Sequence, residues 1–446
     1  MHPVDTIAAV ATAPGRAGIG VIRVSGAGAA DLLRALTGRL PQPRRATLAR
    51  FCAADGTAID EGIALLFPAP RSYTGEDVVE LHAHGGPAVL RLLLQRCLEL
   101  GARPARPGEF TQRAFLNDKL DLAQAEAVAD LIDASSAAAA KGAMRSLSGE
   151  FSTRVNALRD PLIELRAYVE ACLDFPEEQL DFLERGQVVA RVQTLRARLG
   201  ELAATARQGN LLREGVRVVL LGQPNVGKSS LMNRLAEEEV AIVTDIPGTT
   251  RDALRRELVI EGVPLHLVDT AGLRHTVDPV ERLGVDRAWA EIAHADILLH
   301  VIDVSRDAAE ELGEVAKALP ASAVKLRVFN KIDLVSAPPR VREGGSETEV
   351  WLSAKTGEGV AALRSAILTA AGWQELEEAP FMARERHLVA LSNAAAALER
   401  AAAQTATPEL LAEELRLAQV ALGEITGAFT ADDLLGEIFS RFCIGK

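Results

Sequence analysis

No run of uncharged apolar residues in this chain approaches the ~20 needed to span a bilayer as a helix, so a membrane-spanning role is not expected. The opening stretch MHPVDTIAAVATAPG carries Asp5 early and has no basic segment ahead of an apolar one, which argues against a secretory leader. The four cysteines, at 52, 97, 172 and 443, form neither a C-x-x-C pair nor an even framework. That spacing excludes a recognisable zinc or disulfide scaffold and fits a reducing cytoplasm. Positive charge is also short. A net charge of −12 excludes a whole-surface electrostatic grip on nucleic acid, so any RNA contact must be a local basic patch or belong to a partner. Lysine is far scarcer than arginine, with eight against 41. Where composition favours arginine so heavily, the lysines at 119, 228, 331, 355 and 446 mark places where a compact, flexible ammonium is wanted.

What is present is a phosphate-binding loop. GQPNVGKS at 222–229 fits G-x-x-x-x-G-K-[ST] and stands between a strand-like run, VRVVLL, and a helix-like run, SLMNRL. A glycine turn there points backbone N–H groups inward, and the following helix adds the positive end of its dipole. Asn225, Val226, Gly227, Lys228, Ser229 and Ser230 are the expected nucleotide contacts, with Lys228 on the β- and γ-phosphates and Ser229 on Mg²⁺.

Three further motifs follow in order, each after an apolar strand. DTAG supplies Asp269 for a Mg²⁺-bound water, followed by Thr270, Ala271 and Gly272, whose N–H meets the γ-phosphate. NKID supplies Asn330 and Lys331 to brace the base and Asp333 to accept from guanine N1 and N2, donors that adenine lacks at that edge. SAK, at Ser353, Ala354 and Lys355, supplies backbone contacts to the base O6. The order specifies GTP over ATP. TDIPGTTRD, from Thr244, Asp245, Ile246, Pro247, Gly248 and Thr249 to Thr250, provides a switch threonine, Thr250, as second Mg²⁺ ligand. Leu273 stands where many small GTPases place a water-orienting glutamine, so something else must hold the attacking water. Asn225 and the loop's oxygen atoms at Thr244, Ile246 and Thr249 could hold a monovalent cation, K⁺, in place of an arginine finger.

Length predicts about three domains. Residues 1–118 mix short strands and helices, and from 119 the texture becomes alanine-rich and helical through 214. Strand–helix alternation over 215–374 marks the nucleotide domain, and helices resume over 375–446. Helices of like texture on both sides predict that the nucleotide domain is inserted into one helical domain.

GQPNVGKSSLMN, TDIPGTTRD, DTAGLR and the terminal FCIGK together resemble the MnmE (TrmE) family of tRNA-modification GTPases. The likeness covers the whole chain, including DTIAAVATAPGRAGIGVIRVSG at the start and RPGEFTQRAFLNDKLDLAQAEAVADLIDA in the middle. It implies a multidomain α/β and all-α architecture: an N-terminal α+β folate-binding-like domain, a central helical domain and an inserted P-loop α/β Ras-like G domain. It implies that Arg23, Glu80, Lys119 and Lys446 bind a 5-formyl- or 5,10-methylene-tetrahydrofolate, with the tail reaching back to the N-terminal domain. Glu281 would position the attacking water and so fill the gap left by Leu273. The family works with the FAD-dependent partner MnmG on the wobble uridine of certain tRNAs, and dimerises through the N-terminal domain.

Three features stay open on residues alone. Cys443 reads as a nucleophile or as a packing cysteine beside Phe442 and Ile444. His82 and His84 share a strand face but show no third metal ligand, which favours a structural role. The acidic run at 174–184 reads as a solvated helix–loop junction. A different class, a switch GTPase that binds partners and modifies nothing, needs neither the N-terminal 118 residues nor the FCIGK tail.

Overall fold

The computed structural model describes residues 5–174, 185–237, 255–269, 292–306, 320–344, 347–374, 380–428, 432–440 and 442–445. Contacts divide the chain into two compact units that do not follow sequence order. One comprises Met1–Ala129, Leu147–Phe182 and Ala403–Lys446, and the other Asp130–Ser146 and Leu183–Ala402.

In chain order the elements of the first unit begin with β1 (Ile7–Val10), β2 (Ala17–Ser25), α1 (Ala29–Thr37), β3 (Thr47–Cys52), β4 (Ala58–Phe67), β5 (Val78–Gly85), α2 (Pro87–Glu99), β6 (Arg103–Pro104) and α3 (Glu109–Leu116). The strands form one sheet ordered β3-β4-β5-β2-β1-β6. Alternation along β5 turns Val79, Leu81 and Ala83 into the core with α1 and α2, and Glu80, His82 and His84 to the other face. Antiparallel pairing of β2 with β5 sets Arg23 directly opposite Glu80.

Helix α3 is anchored by charge. Its Arg113, almost fully buried, bonds Glu109, Glu76 and both the carbonyl and carboxylate of Asp5, while Arg103 bonds Glu109 and Asp5 from β6. Burial alone would raise the Glu109 pKa, but hydrogen bonds from Arg103, the Arg106 N–H and Arg113 outweigh it and hold the value down at about 2.

Then come α4 (Leu122–Asp133), α5 (Ala137–Leu147), α6 (Glu150–Asp174) and α7 (Arg185–Glu214). The nucleotide domain follows as β7 (Val216–Leu221), α8 (Lys228–Glu237), β8 (Arg255–Ile260), β9 (Val263–Asp269), β10 (Ile297–Asp303), β11 (Val324–Asn330), β12 (Arg340–Gly344), β13 (Glu347–Trp351) and α9 (Val360–Ala370). The chain closes with α10 (Glu385–Ala403), α11 (Pro408–Thr426) and α12 (Asp432–Ser440). In the first unit α6 lies along α11, tied by Arg166 to Gln419 at 2.7 Å, and α12 packs Ile438 and Phe439 on Leu122 and Ala125.

The second unit holds a seven-stranded sheet ordered β12-β13-β11-β10-β7-β9-β8, parallel across its five central strands. β7 and β10 are buried almost throughout, as central parallel strands covered on both faces must be. The segments that enter and leave this domain are both fastened to α4. Buried Asp130 accepts from Arg213, just before β7, at 2.8 Å and from Arg384, just before α10, at 2.7 Å. No helix among the described residues is long and apolar enough to cross a membrane.

The Glu109 geometry gives a pH-dependent stability. Its folded-state pKa is depressed, so its contribution is full above about pH 4.5 and is lost as pH falls towards about 2. Glu109→Gln should cost about 2 kcal/mol near neutral pH. In urea melts followed by circular dichroism, the gap between wild type and variant should close as pH falls through that window; a gap independent of pH would refute the assignment.

Candidate functional site

The site in the second unit is assembled at the carboxyl ends of the central parallel strands, where loops from neighbouring strands converge. β7 leads into the phosphate loop, β9 ends at Asp269, β10 ends at Asp303, β11 ends at Asn330, and β13 leads into Ser353–Lys355.

Asn225 lies in the left-handed region at φ 67°, and Gly227 at φ 99°. A Cβ on Gly227 would collide with the Asn330 amide, so the second glycine of the motif is required by a neighbouring loop as well as by its own dihedral. Lys228 is buried at the first turn of α8, with its ammonium held by the carbonyls of Gly222 at 2.6 Å and Gln223 at 3.0 Å. Ser229 and Ser230 are exposed on the same turn.

Asn330 ties the two halves of the site together. Its Nδ2 donates to the Val226 carbonyl at 2.8 Å, and its Oδ1 accepts from the N–H groups of Lys331 at 2.8 Å and Ala354 at 2.9 Å. Ser353 donates its hydroxyl to Asp333 at 2.7 Å and accepts from Thr356 N–H at 3.2 Å, fixing one carboxylate oxygen of the residue expected to read guanine. Arg234 of α8 donates to the carbonyls of Ala354 and Lys355 at 3.3 and 2.9 Å, which secures the base loop from the phosphate side.

Lys331, at φ 69°, donates from Nζ to the Asn225 carbonyl and to Asp303 Oδ2, both at 2.7 Å. Asp303 was not singled out from sequence; the signal available was an aspartate closing the apolar run ILLHVID. Burial works to raise its pKa, but Lys331 and Ser305 outweigh that and hold it below the ordinary carboxylate range. Asp269 lies at the end of β9 with Leu220 opposite it on β7. Thr244, Asp245, Ile246, Pro247, Gly248, Thr249, Thr250, Thr270, Ala271, Gly272, Leu273, Glu281 and Lys446 lie outside the described residues, as does most of the acidic run.

In the first unit, Arg23 and Glu80 are brought together. Arg23 donates from Nε and Nη2 to Glu80 at 3.1 and 2.9 Å, and its guanidinium lies 5.2 Å from the Tyr73 ring centroid and 5.9 Å from that of Phe110. Its Nη1 also reaches the Gly445 carbonyl at 3.5 Å. The tail is therefore docked: the Gly108 N–H meets the Cys443 carbonyl at 3.4 Å, Phe442 is buried, and Gly445, at φ 102°, packs so closely on Val10 that a side chain would strike its carbonyl. Lys119 is exposed beside Gly75, two residues from Tyr73.

His82 and His84 take separate carboxylates, Glu80 at 3.4 Å and Asp60 at 2.8 Å, and no group of three metal-ligating side chains occurs among the described residues. Cys443 is exposed.

Comparisons agree across the chain. Residues 6–119 match the family described as GTP-binding protein TrmE N-terminus, and residues 122–443 match the MnmE helical domain. The chain is similar to the tRNA modification GTPase MnmE of Azoarcus sp. (strain BH72), at 60% identity over 100% of this chain and 99% of the relative. It is also similar to that of Nitrosomonas europaea, at 58% identity over 99% of each. Among solved structures, the FeoB G-domain from Methanococcus jannaschii is 22% identical, covers 35% of this chain and 97% of its own, and has a TM-score of 0.24.

Asn330→Ala removes three hydrogen bonds, two of them to buried partners, and should weaken GDP binding by about 3 kcal/mol, roughly a hundredfold. Equilibrium titration with a fluorescent GDP analogue measures this. Wild-type affinity in the variant would show that the two loops hold their geometry without it.

Proposed function

Since the chain belongs to the MnmE family of tRNA modification GTPases, we propose that its two sites divide the work, one cycling GTP and the other supplying the carbon for a change at the wobble uridine of tRNA. The chain is a GTP hydrolase acting in tRNA modification. The observation that carries the guanine reading is the Asn330 knot, which seats Asp333 and the Ser353–Lys355 loop beside the phosphate loop.

In the nucleotide site Lys228 would pair with the β- and γ-phosphates, Ser229 and Thr250 would hold Mg²⁺, and Asp269 would hold a water of that ion. Beyond Thr270 and Ala271, the Gly272 N–H would meet the γ-phosphate. K⁺ would sit among Asn225, Thr244, Ile246 and Thr249, supplying positive charge where an arginine finger acts elsewhere. The fit rests on Asn225, whose left-handed backbone and tethered carbonyl leave its side chain exposed at the loop. Glu281 positions the attacking water, because Leu273 has no group to do so. Glu281→Ala should retain GTP binding and lose most turnover, and wild-type turnover should rise with K⁺ and not with Na⁺. Unchanged turnover in the variant removes Glu281 from the mechanism, and equal rates in the two salts remove the K⁺ site.

In the N-terminal domain Arg23, Glu80, Lys119 and Lys446 would hold a tetrahydrofolate. Glu80 is suited to the pterin N–H edge, Arg23 lies between two rings and a carboxylate, and Lys119 and Lys446 suit the glutamyl carboxylates. The bound cofactor supplies the one-carbon unit. The remaining parts of the reading are domains at 1–118, 119–214, 215–374 and 375–446, a homodimer through the first of these, and cytoplasmic action with the FAD-dependent partner MnmG. Together they would form an aminomethyl or carboxymethylaminomethyl group at C5 of the wobble uridine. Mass spectrometry of tRNA nucleosides from cells lacking the protein should show that modification missing; its persistence would favour a GTPase switch that modifies nothing.

A further inference from the structure

The buried carboxylate at the end of β10 has no part in the motifs that identify the nucleotide site, yet it is fully engaged at its edge. Parallel pairing of β10 with β11 sets Asp303 directly opposite Asn330, so the residue after Asn330 emerges beside it. The Asp303 side chain is 4% exposed. Its Oδ1 accepts from the Ser305 N–H at 3.0 Å and hydroxyl at 2.6 Å, and its Oδ2 takes the Lys331 ammonium at 2.7 Å, with the exposed Arg306 guanidinium farther off at 3.6 Å. The same ammonium donates to the Asn225 carbonyl at 2.7 Å.

We propose that Asp303 is a positioning residue for guanine-nucleotide binding, acting through Lys331 to hold the phosphate loop at Asn225. The physical reason lies in the lysine. A four-carbon stem ending in a compact ammonium has many rotamers and no intrinsic preference for one carbonyl. A fixed anion on its far side selects one rotamer, and in that rotamer a second N–H bond lands on Asn225. Asn225 needs such a restraint, because a non-glycine residue at φ 67° is held there by its surroundings. Ser305 makes the anion rigid by occupying its other oxygen. The run is thus Ser305, Asp303, Lys331, Asn225, and it parallels the Asn330 bridge to Val226 without sharing an atom with it. Two separate links from the base-reading strand end therefore grip adjacent residues of the phosphate loop, and the second depends on a charge that lies outside every motif.

The inference rests on the reading of this site as a guanine-nucleotide site, and the test separates the two. Full-length wild type, Asp303→Asn, Lys331→Met and the double variant are titrated with a fluorescent GDP analogue, and GTP turnover is measured at varied GTP. Asp303→Asn should bind GDP about tenfold to a hundredfold more weakly, the range for one charge-assisted bond, and should raise KM while kcat at saturating GTP stays within about twofold. In the Lys331→Met background the same change should add less than about twofold, because its route of action is already gone. Should Asp303→Asn fold poorly, the comparison of Lys331→Met with the double variant, both lacking the ammonium, decides the matter alone. Additive losses in the cycle, or an unchanged GDP affinity in Asp303→Asn, would overturn the proposal while leaving the site a GTP site. A wild-type chain that failed to bind GDP would remove the guanine reading and this inference with it.

Discussion

Asn330 is one side chain bonded to two loops far apart in sequence, and the nucleotide site depends on that arrangement. Its amide can serve both because a carboxamide carries a donor and an acceptor on the same rigid plane. The donor takes the Val226 carbonyl and the acceptor takes the Ala354 N–H, and both partners are buried. An apolar replacement would leave those groups unsatisfied, and a carboxylate would set a negative charge against a carbonyl. The glycine at 227 follows from the same constraint, because only its missing Cβ lets the amide approach. Four positions that a motif search treats separately are thus one packing solution.

Around that centre, the second unit is built to keep strand ends in register. The Asp130 clamp holds the chain on both sides of the nucleotide domain, with Arg213 at the entrance to β7 and Arg384 ahead of α10. Its value lies in geometry more than in net energy, since a buried ion pair roughly offsets its own desolvation. The backbone at both ends of the domain is specifically bonded. Ser146 donates to the Met382 carbonyl at 3.0 Å and Asn210 to the Ala383 carbonyl at 3.3 Å, so the domain leaves the helices through fastened backbone.

The phosphate loop, the NKID turn and the SAK loop were legible in the sequence because each requires particular residue types at fixed spacing after a strand. The α/β alternation and the return to helices were legible for the same reason: apolar period and glycine placement report local structure. Asp303 was not, because an aspartate closing an apolar strand is ordinary, and only the β10–β11 register brings it to Lys331. The Arg23–Glu80 pair was read as two ligand-binding charges and is first a cross-strand salt bridge, again a matter of register. His82 and His84 share a face as alternation requires, yet their carboxylates come from different strands. The grouping of α6 and α11 with the N-terminal sheet, and of α7 and α10 with the nucleotide domain, is invisible to periodicity, which reports a helix's apolar stripe and not its partner.

The docked tail shows how such a pairing can be more than structural. Arg23 has five donors, and Glu80 takes only two N–H groups while the Gly445 carbonyl takes a third at a longer 3.5 Å. Its planar cation also faces the rings of Tyr73 and Phe110, and burial pushes the Tyr73 hydroxyl pKa above its usual range. A guanidinium so held is restrained by a carboxylate, a carbonyl and two rings, so its remaining N–H groups keep fixed directions. Preorganised polar groups of this kind bind a ligand without first having to be ordered. The tail completes that arrangement with a backbone carbonyl rather than a side chain. Gly445 must then stay glycine for two reasons, its φ and its closeness to Val10, and its carbonyl is held beside Arg23 as a result.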